Sequence, residues 1–253
     1  MTKIIKDAKV SFILAYYEIL QRYKRSIIGQ FWITITTGVI TFGISIIFST
    51  IFNADLKFYL VYVTMNFVIW ILIRDICIES TNAFIESTYL ILNNKWNLFI
   101  FTNKIVFRNL IAFSHNLLLV TVAVIYAKLS FNVFHLIMYF ISIFILIIFL
   151  MSLSMIVCII STRFRDLKMI IENSFQLIFF ITPIMWTADL MKDRSYIIDY
   201  NPIAMIISLI NNTIMKNNLD LVKLMYLIIL TFISWILTYY LYKKKSDRVA
   251  FWL

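Results

Sequence analysis

Two stretches hold the side chains best equipped for chemistry. In "RYKRSIIGQFW", Arg22, Lys24 and Arg25 stand just before Ser26 to Ala54, a run without a charge. In "STRFRDLKMIIENSFQLIFFITPIMW", Arg163, Arg165, Asp166 and Lys168 precede a second long apolar run broken only by Glu172. Neither has the makings of a catalytic centre. The glycines are Gly29, Gly38 and Gly43, so no G-x-x-x-x-G-K-[ST] loop can be written to cradle nucleotide phosphates. No D-x-D pair, no zinc-ligand pair and no nucleophile with a base beside it occurs. His115 and His135 stand singly, and Cys77 and Cys158 lack metal-ligand spacing. The expectation is a chain that is not an enzyme and carries no metal or cofactor of its own.

The elements that hold these clusters follow from composition. With 62% apolar and 14% charged residues, the chain is far from the balance of a soluble domain. A hydrocarbon layer of about 30 Å takes about 20 helical residues at about 1.5 Å each. That measure predicts an all-α, polytopic membrane protein forming one domain over residues 1–253, with six transmembrane helices at about 27–52, 58–73, 107–127, 134–162, 169–188 and 224–242. The short second span is extended by Lys57 and Arg74, whose stems lie in the apolar layer while their charges reach its edges.

Of the 23 Lys and Arg residues, all but Lys57, Lys128, Lys192, Arg194, Lys216 and Lys223 fall on one side of this topology. By the positive-inside rule that side is the cytosol, which receives both termini and a tail at 243–253. The net charge of +10 is spread along these boundaries, so it points to anionic lipid and not to nucleic acid.

Residues 1–25 are broken up by Lys3, Lys6, Asp7 and Lys9 and do not read as a secretory signal. Ile5, Ala8, Phe12, Tyr16, Ile19 and Tyr23 recur at helical spacing, which predicts an amphipathic interface helix, either a plain anchor or a docking surface. After span five, Asn201 and Pro202 start a helix of thirteen apolar-rich residues, Ile203 to Met215, too short to cross. It is expected as an outer re-entrant or interfacial helix, or as a helix in a peripheral loop. Glu172 lies one turn after Lys168 and Arg108 one turn after Lys104, spacing that suits pairing at a boundary better than a proton relay.

Thr34, Gly38, Thr41, Ser45 and Ser49 form a stripe of small and hydroxyl residues on the first span. Such a stripe lets helices approach closely; the alternative is that it faces a polar path. Trp32, Phe48, Trp70 and Trp186 belong to an aromatic load around spans one, two and five, as an interfacial belt or as rings offered to the C–H faces of sugars.

Four strings in order resemble one family. "RYKRSIIGQFW" is similar to the approach to the first span in ABC-2 type permeases that export polysaccharides, among them O-antigen, capsule and teichoic acid exporters. Arg165 and Asp166 followed at an interval by Thr182 and Pro183 resemble that family's hallmark. "YNPIAMIISLI", with Asn201 and Pro202, resembles its outer element, and "RVAFWL" its ending. The chain departs from the pattern in "YVTMNFVIW", which lacks a glycine and a proline, in "NNKWNLFIF", which lacks a proline, and at Asn211 and Asn212, where an arginine is common.

The resemblance implies the permease subunit of an ATP-driven exporter of lipid-linked polysaccharide in the bacterial inner membrane. It would act as a homodimer with two copies of a separate ATP-binding cassette subunit, which binds the ATP and Mg. Phe12, Tyr16, Glu79, Glu86 and Lys95 would dock that subunit, the last three as exposed charges. Arg22, Lys24 and Arg25 would lie where the lipid carrier comes in. Trp32, Thr34, Thr41, Ser45, Phe48, Trp70 and Trp186 would line the channel. Asp166 would either cap the fifth span or form a surface ion pair with a neighbouring cation. Export of a small hydrophobic compound and a non-transporting assembly factor are the other readings.

Overall fold

A computed structural model describes residues 2–93, 96–130, 132–187, 198 and 200–253; these residues are overwhelmingly helical and contain no strand. Five helices are long and apolar enough to cross a membrane: α2 (Phe31–Ile51), α3 (Leu56–Ser80), α6 (Phe99–Tyr126), α7 (Val133–Arg163) and α10 (Leu221–Trp252). Between them lie α1 (Thr2–Arg22), the short α4 (Ala83–Glu86) and α5 (Thr88–Asn93), α8 (Leu167–Ile181) and α9 (Pro202–Met215).

The surface is that of a membrane protein. On α2 the buried residues are Thr37, Thr41, Ser45 and Ser49, while Val39, Phe42, Ile47 and Ile51 are exposed. In water this helix would be inside out. In lipid the tails solvate the outer face, and the inward face is left to small residues that allow close approach. Gly38 shows how close: a Cβ there would stand 3.3 Å from the side chain of Leu119 on α6. Hydroxyl bridges join the other helices, with Ser80 to Ser154 at 2.7 Å and Ser152 to Ser234 at 2.5 Å.

Several boundaries differ from expectation, each for a physical reason. The second span was expected to end at residue 73, but α3 continues to Ser80 and carries Arg74, Asp75 and Glu79 on helix. Likewise α6 starts at Phe99, so Lys104 and Arg108 are helical too. Both extensions are held by ion pairs. The expected tail at 243–253 is instead the last turns of α10, anchored by fully buried Val249 in a cluster with Phe84, Phe101 and Met155. The expected fifth span, 169–188, is helical only to Ile181. Pro183 forces its predecessor out of the helical region, and Thr182 is extended at φ −84, ψ 134. Ala188 lies outside the described residues.

Of the positions expected for α9, an interfacial or peripheral one is at odds with its burial, and a re-entrant one is not. Ala204, Ile207, Leu209, Ile210 and Asn211 are all buried, and the helix packs on α3, α7 and α10. Its start follows the sequence: Pro202 occupies the first turn, and the Asn201 carboxamide accepts from the N–H groups of Ile203 and Ala204 at 3.0 and 3.2 Å.

Candidate functional site

The bundle has two unlike ends, and α3 joins them. At the basic end, α1 lies against α6 through Ser11, Ala15 and Ile19. On that face Glu18 reaches two cations one turn apart, Lys104 at 2.5 Å and Arg108 at 2.6 Å. Arg108 also pairs with Glu79 at 2.8 Å, and Glu79 accepts from Asn109 at 2.5 Å. The cations are largely buried, with side-chain exposures of 8% for Lys104 and 13% for Arg108. Burying one such charge without a partner would be costly, so the carboxylates that meet them fix α1, α3 and α6 in one arrangement.

From this cluster α8 leads away along α3 in the opposite direction. Glu172 and Gln176 share a groove with Arg74 and Ile78 of α3. One to two turns on, the Trp70 ring lies 5.5 Å from Phe175 and 5.4 Å from Phe179. Beyond the end of α8, the Pro183 carbonyl accepts from Tyr62 at 3.0 Å and from Asn66 at 3.3 Å, and the Met185 carbonyl accepts from Tyr59. The segment from Leu167 to Trp186 therefore runs the length of α3, from its last turns to its first. The groove between them holds about 540 Å³. Aromatic rings make its wall, and Arg74, Glu172, Asn173 and Gln176 supply charges and amides, a pairing suited to a ligand with both C–H faces and hydroxyls.

The far end also carries charges, among them Asp55, Lys57, Asp220 and Lys223. The side chains that link the turn after α8 to its neighbours there are neutral, and by them it is called the neutral end. Asn211 on α9 donates to the Asn66 carboxamide oxygen at 2.6 Å, and Asn201 donates to the Thr182 hydroxyl at 2.9 Å. These amides tie the turn after α8 to α3 and α9.

The sequence-predicted residues fall unevenly on this frame. Phe12 and Tyr16 are exposed on α1, although Phe12 also meets Phe107 edge-on at 5.9 Å. Glu86 is exposed at the end of α4. Glu79, expected as an exposed charge, is half-buried and committed to Arg108 and Asn109 inside the protein. Lys95 lies outside the described residues. Arg22, Lys24 and Arg25 are exposed at the elbow between α1 and α2, where Gly29 takes the φ of +64 that the turn requires.

Trp32 is exposed beside that elbow. Trp70 is 3% exposed, so within one protomer it backs the groove and does not line open space. Thr41 and Ser45 are buried in close-packed helix contacts, each hydroxyl bonded to its own helix, and the Thr34 hydroxyl is buried without a partner. Phe48 stacks at a tilt on Phe52, 5.7 Å away, and the Trp186 indole donates to the Phe180 carbonyl at 3.2 Å.

Asp166 occupies the N-cap position of α8 but makes no capping hydrogen bond, so the expected cap is absent. Its φ and ψ, −69 and −16, are already helical, which turns the carboxylate away from the first amides. Nor does it form an ion pair among the described residues. Its neighbour Arg165 instead donates to the Trp252 carbonyl at 3.2 Å, linking the loop to the end of α10. Lys168 and Glu172 stand 4.0 Å apart, as the spacing predicts. Sequence reasoning missed Glu18, the acid that two cations one turn apart on an apolar helix demand.

No protein-family model matches the chain, and no curated protein matches it.

Proposed function

We propose that this chain is the membrane permease subunit of an ATP-driven, ABC-2 type exporter that moves lipid-linked polysaccharide across the bacterial inner membrane. The observation that carries the reading is the aromatic and amide-lined groove along α3 and α8. It begins beside the basic end and follows α3 toward the neutral end, and rings with amides suit the two faces of a sugar. The course of residues 167–186 beside α3 supports a sixth crossing made of helix followed by a bent segment at 182–186. The 15 residues of α8 cover about 22 Å, and the bent residues after it reach the first turns of α3 through Tyr59 and Tyr62.

The basic end then faces the cytosol by the positive-inside rule, together with both termini. Helix α1 offers Phe12 and Tyr16 to a separate ATP-binding subunit, with Glu86 as a further contact. Force received there passes through Glu18 to α3 and α6. Two protomers pair so that their grooves enclose the path, and Arg22, Lys24 and Arg25 attract the anionic end of the carrier at the membrane surface, each contributing about 1 kcal/mol.

Two measurements test the reading. Cysteines replacing Asn53 and Asn218, both exposed at the neutral end, react with an impermeant thiol reagent added outside intact cells, and a cysteine replacing Asp247 does not; the native Cys77 and Cys158 are buried and give little background. Reaction at Asp247 would overturn the topology. Replacing the exposed groove residues Gln176 and Phe180 by Ala lowers surface polysaccharide while expression and assembly with the ATP-binding subunit hold. Export at the wild-type level in that double variant would remove the groove from the path.

A further inference from the structure

On α8, Asn173, Gln176 and Phe180 follow one another at three and four residues and so share one stripe, about 10 Å long, in the groove against α3. All three are exposed, and neither carboxamide makes a hydrogen bond among the described residues. Lipid tails would leave both amides unmet, so on a crossing helix this stripe turns toward a polar occupant. Phe67 of α3 meets Phe179 edge-on at 6.1 Å beside it, so aromatic rings and free amides lie along one surface.

The charges of the groove are already matched. Its lining holds one cation, Arg74, and one carboxylate, Glu172. Arg74 lies 3.4 Å from Asp75 on its own helix, and Glu172 lies 4.0 Å from Lys168 on its own. From Asn173 to Phe180 the lining of α8 is neutral. Arg22, Lys24 and Arg25, which form no ion pair among the described residues, stand at the elbow and not on the groove. A polymer with a negative charge in every repeat would pass Glu172, find a single guanidinium already engaged, and give up hydration with nothing to replace it. An uncharged sugar loses little there. Its C–H face lies on Phe179 and Phe180, and its hydroxyls meet Asn173 and Gln176.

We infer that the polymer this groove takes is built of uncharged sugars, with the negative charge of the substrate confined to its carrier end. Two parts of one substrate then meet two parts of the protein. The phosphate end is attracted at the elbow by Arg22, Lys24 and Arg25, and the neutral chain follows the amides and rings of α8. Polymers with a uronate or a phosphodiester in each repeat are excluded. The inference rests on the exporter reading and narrows it to one class of cargo.

The test uses the full chain in its host. The chain is depleted, the lipid-linked polymer that collects inside is extracted and cleaved from its carrier by mild acid, and the freed polymer is passed over an anion exchanger at neutral pH. It passes unretained, with no uronate or phosphate in its repeating unit. A retained polymer with an acid in each repeat would overturn the inference and leave the exporter reading standing. If no polymer collects, the exporter reading fails and the inference fails with it. A second arm reads the groove itself. At matched membrane levels, Gln176→Glu lowers surface polysaccharide no further than Gln176→Ala does, because a carboxylate accepts from sugar hydroxyls as a carboxamide oxygen does. A several-fold deeper loss in the glutamate variant would mark a repelled, acidic polymer and would also overturn the inference.

Discussion

The two ends of the bundle hold their helices by different means. At the neutral end α3, α7, α9 and α10 all begin, and each start is capped by its own side chain: Asp55, Asn132, Asn201 and Asp220 accept from backbone N–H groups two or three residues on. At the basic end α2 and α8 begin after Gln30 and Asp166 with no side-chain cap, and α6 alone of the three is met by a side chain, the Asn97 carboxamide accepting from the Phe99 N–H at 3.1 Å. That end is joined instead by ion pairs between distant elements, with Glu18 reaching across 86 residues to Lys104. A cap competes with nothing beyond its own turn. An ion pair between elements sets where whole helices lie, and it is the means chosen where α1 must be held to the spans.

Substitutions can break this contrast in graded steps. Removing Glu18 has the largest effect: Glu18→Ala leaves two buried cations short of a partner and lowers stability by about 3 kcal/mol, read as the shift in a denaturation midpoint in detergent. A loss under about 1 kcal/mol would mean the cluster is solvated and ties nothing. Asn201→Ala follows at about 2 kcal/mol, because the residue both caps α9 and donates to Thr182. Asp220→Ala, which removes a cap and a partly exposed ion pair with Lys223 at 3.6 Å, costs about 1 kcal/mol. Asp166→Ala stays within about 0.5 kcal/mol of wild type. A larger loss there would restore the capping role that its position suggests.

What the sequence reveals follows the same division. The start of α9 is legible because Asn201 and Pro202 act within their own turn, whereas the break after Ile181 is not, because the apolar run continues beyond Pro183 to Trp186. The aromatic and small-residue stripes of α2 and α3 are visible as periodicity, yet whether Trp70 faces open space or a neighbour depends on α8, which periodicity along α3 does not encode. Glu18 looks like one more charge on an amphipathic helix until α6 is beside it. The same applies to Asn66 and Asn211, two amides in separate apolar runs, whose pairing depends on the approach of α9 to α3. The continuation of α3 past Arg74 and of α10 through its lysines was hidden by charge, since charged turns are stable on helix here only because partners or the membrane edge receive them.

The central claim, that this chain conducts a lipid-linked polysaccharide outward, is tested most directly by depleting it in its host and measuring polymer on both faces of the inner membrane. The account predicts that surface polysaccharide falls while lipid-linked polymer accumulates inside, and that wild-type chain restores both. Surface polysaccharide maintained at its normal level after the chain is gone would contradict it.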